Sequence, residues 1–127
     1  GWGGYGQLGD GSTNNSDAPR QVQALEAVPI ASAAAGQYAT LALDRNGNLW
    51  SWGKGLALGH GGGGGSLQLL PKVIEGLPAG ARIRRFAAGG HSVVCELGDD
   101  SLWSWGSIAD SNTSPSRLGD VVLFVSR

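Results

Sequence analysis

Apolar and polar residues alternate with a period of two in two separated stretches of the chain, and in each the alternation runs into a turn and back out of it. Thr40-Leu41-Ala42-Leu43-Asp44 alternates, Arg45-Asn46-Gly47 supplies turn formers, and Asn48 to Gly53 alternates again with tryptophans. Period two marks a strand with one buried face, and Asn-Gly between two such runs is a strong hairpin signal because both residues tolerate positive φ. Ser92-Val93-Val94-Cys95-Glu96, the turn Gly98-Asp99-Asp100 and Ser101 to Gly106 spell a second hairpin with a longer loop. Shorter strands are predicted at Gln21-Val22-Gln23, with a counterpart at Val73-Ile74, and at Ile30 to Ala34, with a counterpart at Ile83 to Ala87. The run Ala31 to Ala35 also suits a helical turn on propensity. Its counterpart Arg84-Arg85-Phe86-Ala87-Ala88 admits an aromatic in the same slot and both runs are short, so strand is the expectation.

The two hairpins are copies of one unit. Trp-Gly recurs at Trp2-Gly3, Trp52-Gly53 and Trp105-Gly106, and the first two are followed at equal offsets by Leu8-Gly9-Asp10-Gly11 and Leu58-Gly59-His60-Gly61. Pro19-Arg20 answers to Pro71-Lys72, Leu25 to Leu77, and Ala35-Gly36 to Ala88-Gly89. Asn48-Leu49-Trp50-Ser51-Trp52-Gly53 answers to Ser101-Leu102-Trp103-Ser104-Trp105-Gly106. The anchors Trp2, Gly3, Gly9, Gly11, Gly36, Trp52, Gly53, Gly59, Gly61, Gly89, Trp105 and Gly106 define repeat one at about 1–53 and repeat two at about 54–106, with a degenerate remainder at 107–127. Three or four short strands in a unit of this size, closed by Trp-Gly, is the spacing of propeller blades. The predicted fold is all-β: a partial β-propeller of two four-stranded blades with incomplete blades at each end, one fragment over 1–127.

These residues resemble the repeat of the regulator of chromosome condensation family. The resemblance is carried by Trp2-Gly3-Gly4-Tyr5-Gly6-Gln7-Leu8-Gly9-Asp10-Gly11, Pro19 with Val22, Ala34-Ala35-Gly36, Leu41-Ala42-Leu43 and Gly47 to Gly53. In the second copy Ala87-Ala88-Gly89-Gly90-His91-Ser92 resembles the family's Ala-Gly-x-x-His-Ser/Thr step. There Ala57-Leu58-Gly59 replaces Gln-Leu-Gly, a loop insert Gly61 to Gly65 follows, and in the first copy Ala39 is expected at the family's His position. After Gly106 no further Gly-Gln-Leu-Gly follows, and the end is apolar at Val121 to Val125. The resemblance implies a seven-bladed closed propeller of about three times this length, so the chain, which lacks Met and opens mid-motif, reads as a segment stable only within a longer one. The kelch propeller is the alternative, but the double glycine Gly89-Gly90 does not recur at Gly36-Gln37.

Composition narrows the chemistry. Gly accounts for 23 of 127 residues, too many for anything but disorder or many tight turns, and five Trp argue for the turns. A net charge of −1 gives direct nucleic-acid contact no support. The one basic cluster, Arg82, Arg84 and Arg85, reads as a solvated strand edge or as a landing site for an acidic partner. A single cysteine, Cys95, excludes an internal disulfide, and its place in an apolar alternation suits a small buried hydrophobe. No run is long enough for a membrane span, and without a signal peptide an intracellular location is the expectation.

Several apparent chemical motifs have plainer readings. Gly4-Tyr5-Gly6-Gln7-Leu8-Gly9 fits the dinucleotide fingerprint, but turn formers rather than a helix follow it. Gly61 to Gly65 with Ser66 lacks the Gly-Lys-Ser/Thr of a phosphate loop. His91, Ser92 and Asp99 or Asp100 are near only in sequence, and His60 stands in a glycine loop. The aspartates Asp10, Asp17, Asp99, Asp100, Asp110 and Asp120 are scattered, without Ca²⁺-loop spacing. Asn14-Asn15-Ser16 and Asn112-Thr113-Ser114 fit the glycosylation tripeptide, a match frequent by chance.

No catalytic, cofactor or metal site is therefore expected, and the expected function is a non-catalytic protein–protein interaction platform with a protein partner. The resemblance implies two alternatives: guanine-nucleotide exchange on a small GTPase, and a secreted bacterial propeller that binds an enzyme.

Overall fold

The computed structural model describes residues 1–62, 65–106 and 112–117. Residues 1–29 hold turns and a short 3₁₀ turn, Gln23–Leu25, ahead of strands β1 (Ile30–Ala35), β2 (Ala39–Asp44) and β3 (Leu49–Lys54). A second 3₁₀ turn, Leu56–Leu58, leads to β4 (Leu67–Val73), and β5 (Ile83–Ala88), β6 (Ser92–Leu97), β7 (Leu102–Gly106) and β8 (Asn112–Arg117) follow. The strands form two four-stranded antiparallel meanders in the orders β1-β2-β3-β4 and β5-β6-β7-β8.

The irregularities repeat along with the strands. The β1–β2 register shifts between Ile30 and Ser32, and β5–β6 shifts between Ile83 and Arg85. The β3–β4 register shifts between Ser51 and Gly53, and β7–β8 between Ser104 and Gly106. Bulges at matching places bend both sheets alike, as blades of one propeller require.

Two predicted strands are corrected. Gln21-Val22-Gln23 forms no strand. Its equivalent in the second copy belongs to β4, which pairs with β3, whereas among the described residues no strand lies beside residues 15–22 to complete a ladder. Val73-Ile74 is the end of a strand that begins at Leu67, and Ile74 lies just beyond it, buried. The remainder at 107–127, expected to be degenerate, contributes β8, the outer strand of the second sheet. Pro71 in β4 and Pro115 in β8 are tolerated because both strands are sheet edges. The glycine insert includes residues 63–64, and the apolar end 121–125 falls in 118–127; both lie outside the described residues.

Burial follows the pleat, sending alternate residues to opposite sides of each blade. Leu41, Leu43 and Leu49 leave the first blade forward and meet Val93, Cys95, Leu97 and Trp105 of the second, with Ala57, Leu58, Ile74 and Ile83 completing one core between the blades. Ala42 and Trp52 leave the other way and pack with Leu25, Val22, Val28, Ile30 and Trp50. The main core is thus the blade–blade interface, not the interior of either sheet.

Candidate protein-binding face

Two of the three Trp-Gly tryptophans, Trp52 and Trp105, join successive units. Trp52 Nε1 donates to the Gln7 carbonyl at 2.8 Å, and Trp105 Nε1 donates to the Ala57 carbonyl at 2.9 Å. A buried indole N–H needs an acceptor, and these rings are 3% and 1% exposed. Thr40 Oγ1 donates to the same Gln7 carbonyl at 2.9 Å. Beneath each ring lies the glycine of Leu-Gly: a Cβ on Gly9 would stand 2.8 Å from Trp52 Nε1, and one on Gly59 2.9 Å from Trp105 Nε1.

Gly53 and Gly106 hold positive φ and pass so near the Tyr38 and His91 carbonyls that a Cβ would lie 2.2 and 2.1 Å from them. Together with the pairing of Ala39 to Gly53 and of Ser92 to Gly106, this makes Tyr38 the equivalent of His91. The expectation that Ala39 fills the His position is therefore corrected by one residue. Gly36 and Gly89 are likewise equivalent, their N–H groups closing the turns onto the Ala39 and Ser92 carbonyls at 2.8 Å each. Of the other anchors, Gly3 N–H donates to Asn15 Oδ1, Gly11 N–H donates to the Leu69 carbonyl, Gly61 lies in the loop after Leu56–Leu58, and Trp2 is 55% exposed.

The turns at one end of the blades present a row of rings. Trp2 meets Tyr5 edge-to-face with centroids 5.0 Å apart, Tyr5 meets Tyr38 edge-to-face at 5.1 Å, and Tyr38 meets His91 at 5.9 Å. Lys54 Nζ sits 4.3 Å above the Tyr5 ring. Gln37 N–H donates to the Gly90 carbonyl at 3.0 Å, tying the two blades together beside the row. Sequence reasoning missed this row because its members are far apart in the chain and the His position was misplaced by one. The repeat itself held the signal, in the shared 53-residue offset of Tyr38 and His91.

The opposite end carries charge and polar turns. Asp44 is buried and accepts from Asn46 and Asn48 N–H, Asn48 Nδ2 and Trp50 Nε1. Burial alone would raise this carboxyl, but the hydrogen bonds from Asn48, Trp50 and Asn46 outweigh it and hold the group below the usual carboxylate range. In the second blade Leu97 replaces Asp44, and Trp103 Nε1 donates instead to Ser101 Oγ, which Asp99 anchors.

Two of the three clustered arginines, Arg84 and Arg85, are paired with carboxylates. Arg84 bonds Glu96 and Asp100, and Arg85 bonds Glu96, all at 2.9 Å; Arg82 reaches only the Arg45 carbonyl, at 3.4 Å. Solvent screens exposed pairs of this kind, so they add little to stability.

None of the catalytic arrangements considered above is assembled. His91 and Asp99 stand at opposite ends of β6. A different pair does meet, Ser51 Oγ and His60 Nε2 at 2.9 Å, beside a cavity of about 270 Å³ lined by Gly59, His60, Lys72, Glu75 and Gly76. Ser51 is fully buried and spends its single proton on the Leu58 carbonyl at 2.6 Å. Its oxygen must then accept from His60, so Nε2 carries the proton and is no general base. Burial and then Lys72 push the His60 imidazole below its usual range, which keeps the ring neutral at pH 7. Burial likewise pushes the Cys95 thiol up to about 12, an unreactive state. Among the described residues no three His, Cys, Asp or Glu side chains come together as a metal site, and no helix is long and apolar enough to cross a membrane.

Residues 1–43 match the model of the regulator of chromosome condensation (RCC1) repeat. The human E3 ubiquitin-protein ligase HERC2 is 34% identical over 80% of this chain, which spans 2% of that protein. The ultraviolet-B receptor UVR8 of Arabidopsis thaliana is 32% identical over 84% of the chain and spanned to 24%. The mitochondrial RCC1 domain-containing protein RUG3 of the same plant is 38% identical over 91% and spanned to 26%. Among solved structures, human WBSCR16 superimposes over 94% of the chain and 32% of its own with a TM-score of 0.79 at 22% identity. Prp20p of Saccharomyces cerevisiae, studied for its binding to Gsp1p and histones, superimposes over 95% of the chain and 33% of its own with a TM-score of 0.78 at 25% identity. The chain thus spans at most about a third of each of these relatives, and it belongs to the regulator of chromosome condensation repeat family.

Proposed function

We propose that the chain acts as a non-catalytic protein-binding platform, presenting the turns at one end of its blades to a partner. The observation that carries this reading is the division of labour among side chains. The buried groups with catalytic potential are tied into the scaffold: Ser51 and the partly buried His60 to each other, Asp44 to its hairpin, Cys95 to the core. The aromatic row, by contrast, lies outside both core clusters and at the surface. Rigid sheets that hold variable turns in fixed register are a general means of building a recognition surface.

A photo-reactive amino acid placed at Gln37, on the aromatic end, or at Asn46, on the opposite end, tests the reading in the cell that makes the protein. Both positions are exposed. Discrete protein adducts from position 37 and few from position 46 are expected; adducts from neither would overturn the proposal.

Exchange on a small GTPase is the second reading, favoured by the likeness to Prp20p, whose structural study includes its binding to Gsp1p. Exchange requires no bond-making residue, so the scaffold roles of Ser51 and His60 leave it open to direct assay.

A further inference from the structure

Building on the platform reading, we infer that the end of the blades formed by Tyr5, Tyr38, Lys54, Leu67 and His91 binds an extended acidic segment of a partner protein. Its carboxylates meet Lys54, and its apolar side chains lie against the tyrosine rings and Leu67.

The first argument is charge. Lys54 is held over the Tyr5 ring by a cation–π contact and forms no ion pair among the described residues. Arg84 and Arg85 each sit on carboxylates of their own blade. Segments 1–9, 35–38, 53–56 and 88–91, which build this end, contain no Asp or Glu. The other end of the same strands carries Asp44, Arg45, Arg82, Asp99 and Asp100. One end is therefore mixed in charge, and the other offers a positioned ammonium that forms no ion pair among the described residues. A carboxylate brought to it meets no like charge from these segments.

Apolar surface is the second argument. Tyr5 and Tyr38 are half-buried and His91 is exposed, so their faces and edges remain available across the seam between blades. Leu67 pairs with Lys54 in the β3–β4 ladder and is 51% exposed, which sets an apolar contact beside the ammonium. Aromatic and apolar groups left together at a surface mark contact sites more reliably than singly exposed residues do.

Shape selects the class of ligand. Gly89 and Gly90 are exposed and leave the backbone bare beside the rings, so a chain in extended conformation can approach the row there. A single lysine is far short of the four to eight basic residues that hold a segment on an anionic membrane, and equally short of the multiple contacts that a phosphate backbone needs.

The test uses the full chain and fluorescein-labelled twelve-residue peptides, with binding followed by anisotropy at low salt and at physiological salt. One peptide alternates Glu or Asp with Leu and Pro, and its control has Lys at every acidic position. The acidic peptide is expected to bind at least tenfold tighter than the control. Lys54→Glu and Tyr38→Ala should each weaken it about tenfold, while Arg45→Glu at the opposite end leaves it unchanged. Should Lys54→Glu fail to fold, Lys54→Gln together with amide shift mapping on the unaltered chain serves instead, with shifts expected at residues 36–38, 54 and 89–91. Equal binding of both peptides, shifts confined to the opposite end, or binding to phosphatidylserine vesicles in place of the peptide would each overturn the inference. Absence of peptide binding with cross-links from position 37 intact would refute the acidic partner alone. Loss of both would refute the platform reading as well.

Discussion

At Gly9 and Gly59 a single hydrogen stands where any other residue would place a carbon against an indole nitrogen. Both positions also hold φ near +75°, so alanine there combines backbone strain with overpacking. Gly9→Ala and Gly59→Ala are each expected to destabilise by about 2–4 kcal/mol, read as a lower urea midpoint at unchanged slope. The Gln7 carbonyl takes both Thr40 Oγ1 and Trp52 Nε1. Thr40→Val and Trp52→Phe should therefore couple, the double variant costing about 1 kcal/mol more than the sum because only then is the buried acceptor left bare. A double-mutant cycle by chemical denaturation checks this. Asp44 supplies a pH signature. Its folded carboxyl is depressed, so its contribution to stability is fully present above the unfolded value of about 3.9 and is lost as pH falls through the lower folded value. Asp44→Asn should flatten that part of the acid-unfolding profile, and an unchanged profile would show that the carboxylate does not carry it.

At the scale of the element, Ser51, Trp52 and His60 together fix how β3 meets the turn that follows it. With its only proton given to the Leu58 carbonyl, Ser51 is expected to stay unlabelled by a fluorophosphonate probe, and nitrogen NMR should find the His60 proton on Nε2. Labelling at Ser51 would contradict the donor assignment. The hairpins β2–β3 and β6–β7 were legible because alternation and turn chemistry lie within a dozen residues. The outer strands β4 and β8 were harder to read: each is an edge containing a proline, and its pattern Leu67 to Val73 or Asn112 to Arg117 has little alternation, because only one neighbour imposes the pleat. The Trp-Gly anchors were visible as repeats, but their acceptors were not. A backbone carbonyl leaves no mark on the sequence, and only the glycine beneath each indole hints at it. The aromatic end was illegible for a related reason: Tyr38 and His91 become equivalent only once strand register fixes where each turn ends.

For the molecule as a whole, the placement of the main core between the blades sets both stability and use. Leu41 is fully buried at that interface, so Leu41→Ala should cost about 2–5 kcal/mol and lower the unfolding of both blades together. Independent transitions for Trp50 and Trp103 environments in single-tryptophan variants would contradict a shared core. On the proposed reading, this rigid pair of blades binds a partner and carries out no bond chemistry. The separation between binding and catalysis of exchange is tested most directly by release of a fluorescent GDP from Gsp1p, with the whole protein added at rising concentration. The account predicts release at the intrinsic rate throughout. An acceleration of tenfold or more that saturates with added protein would contradict it, and would make exchange the function of this propeller.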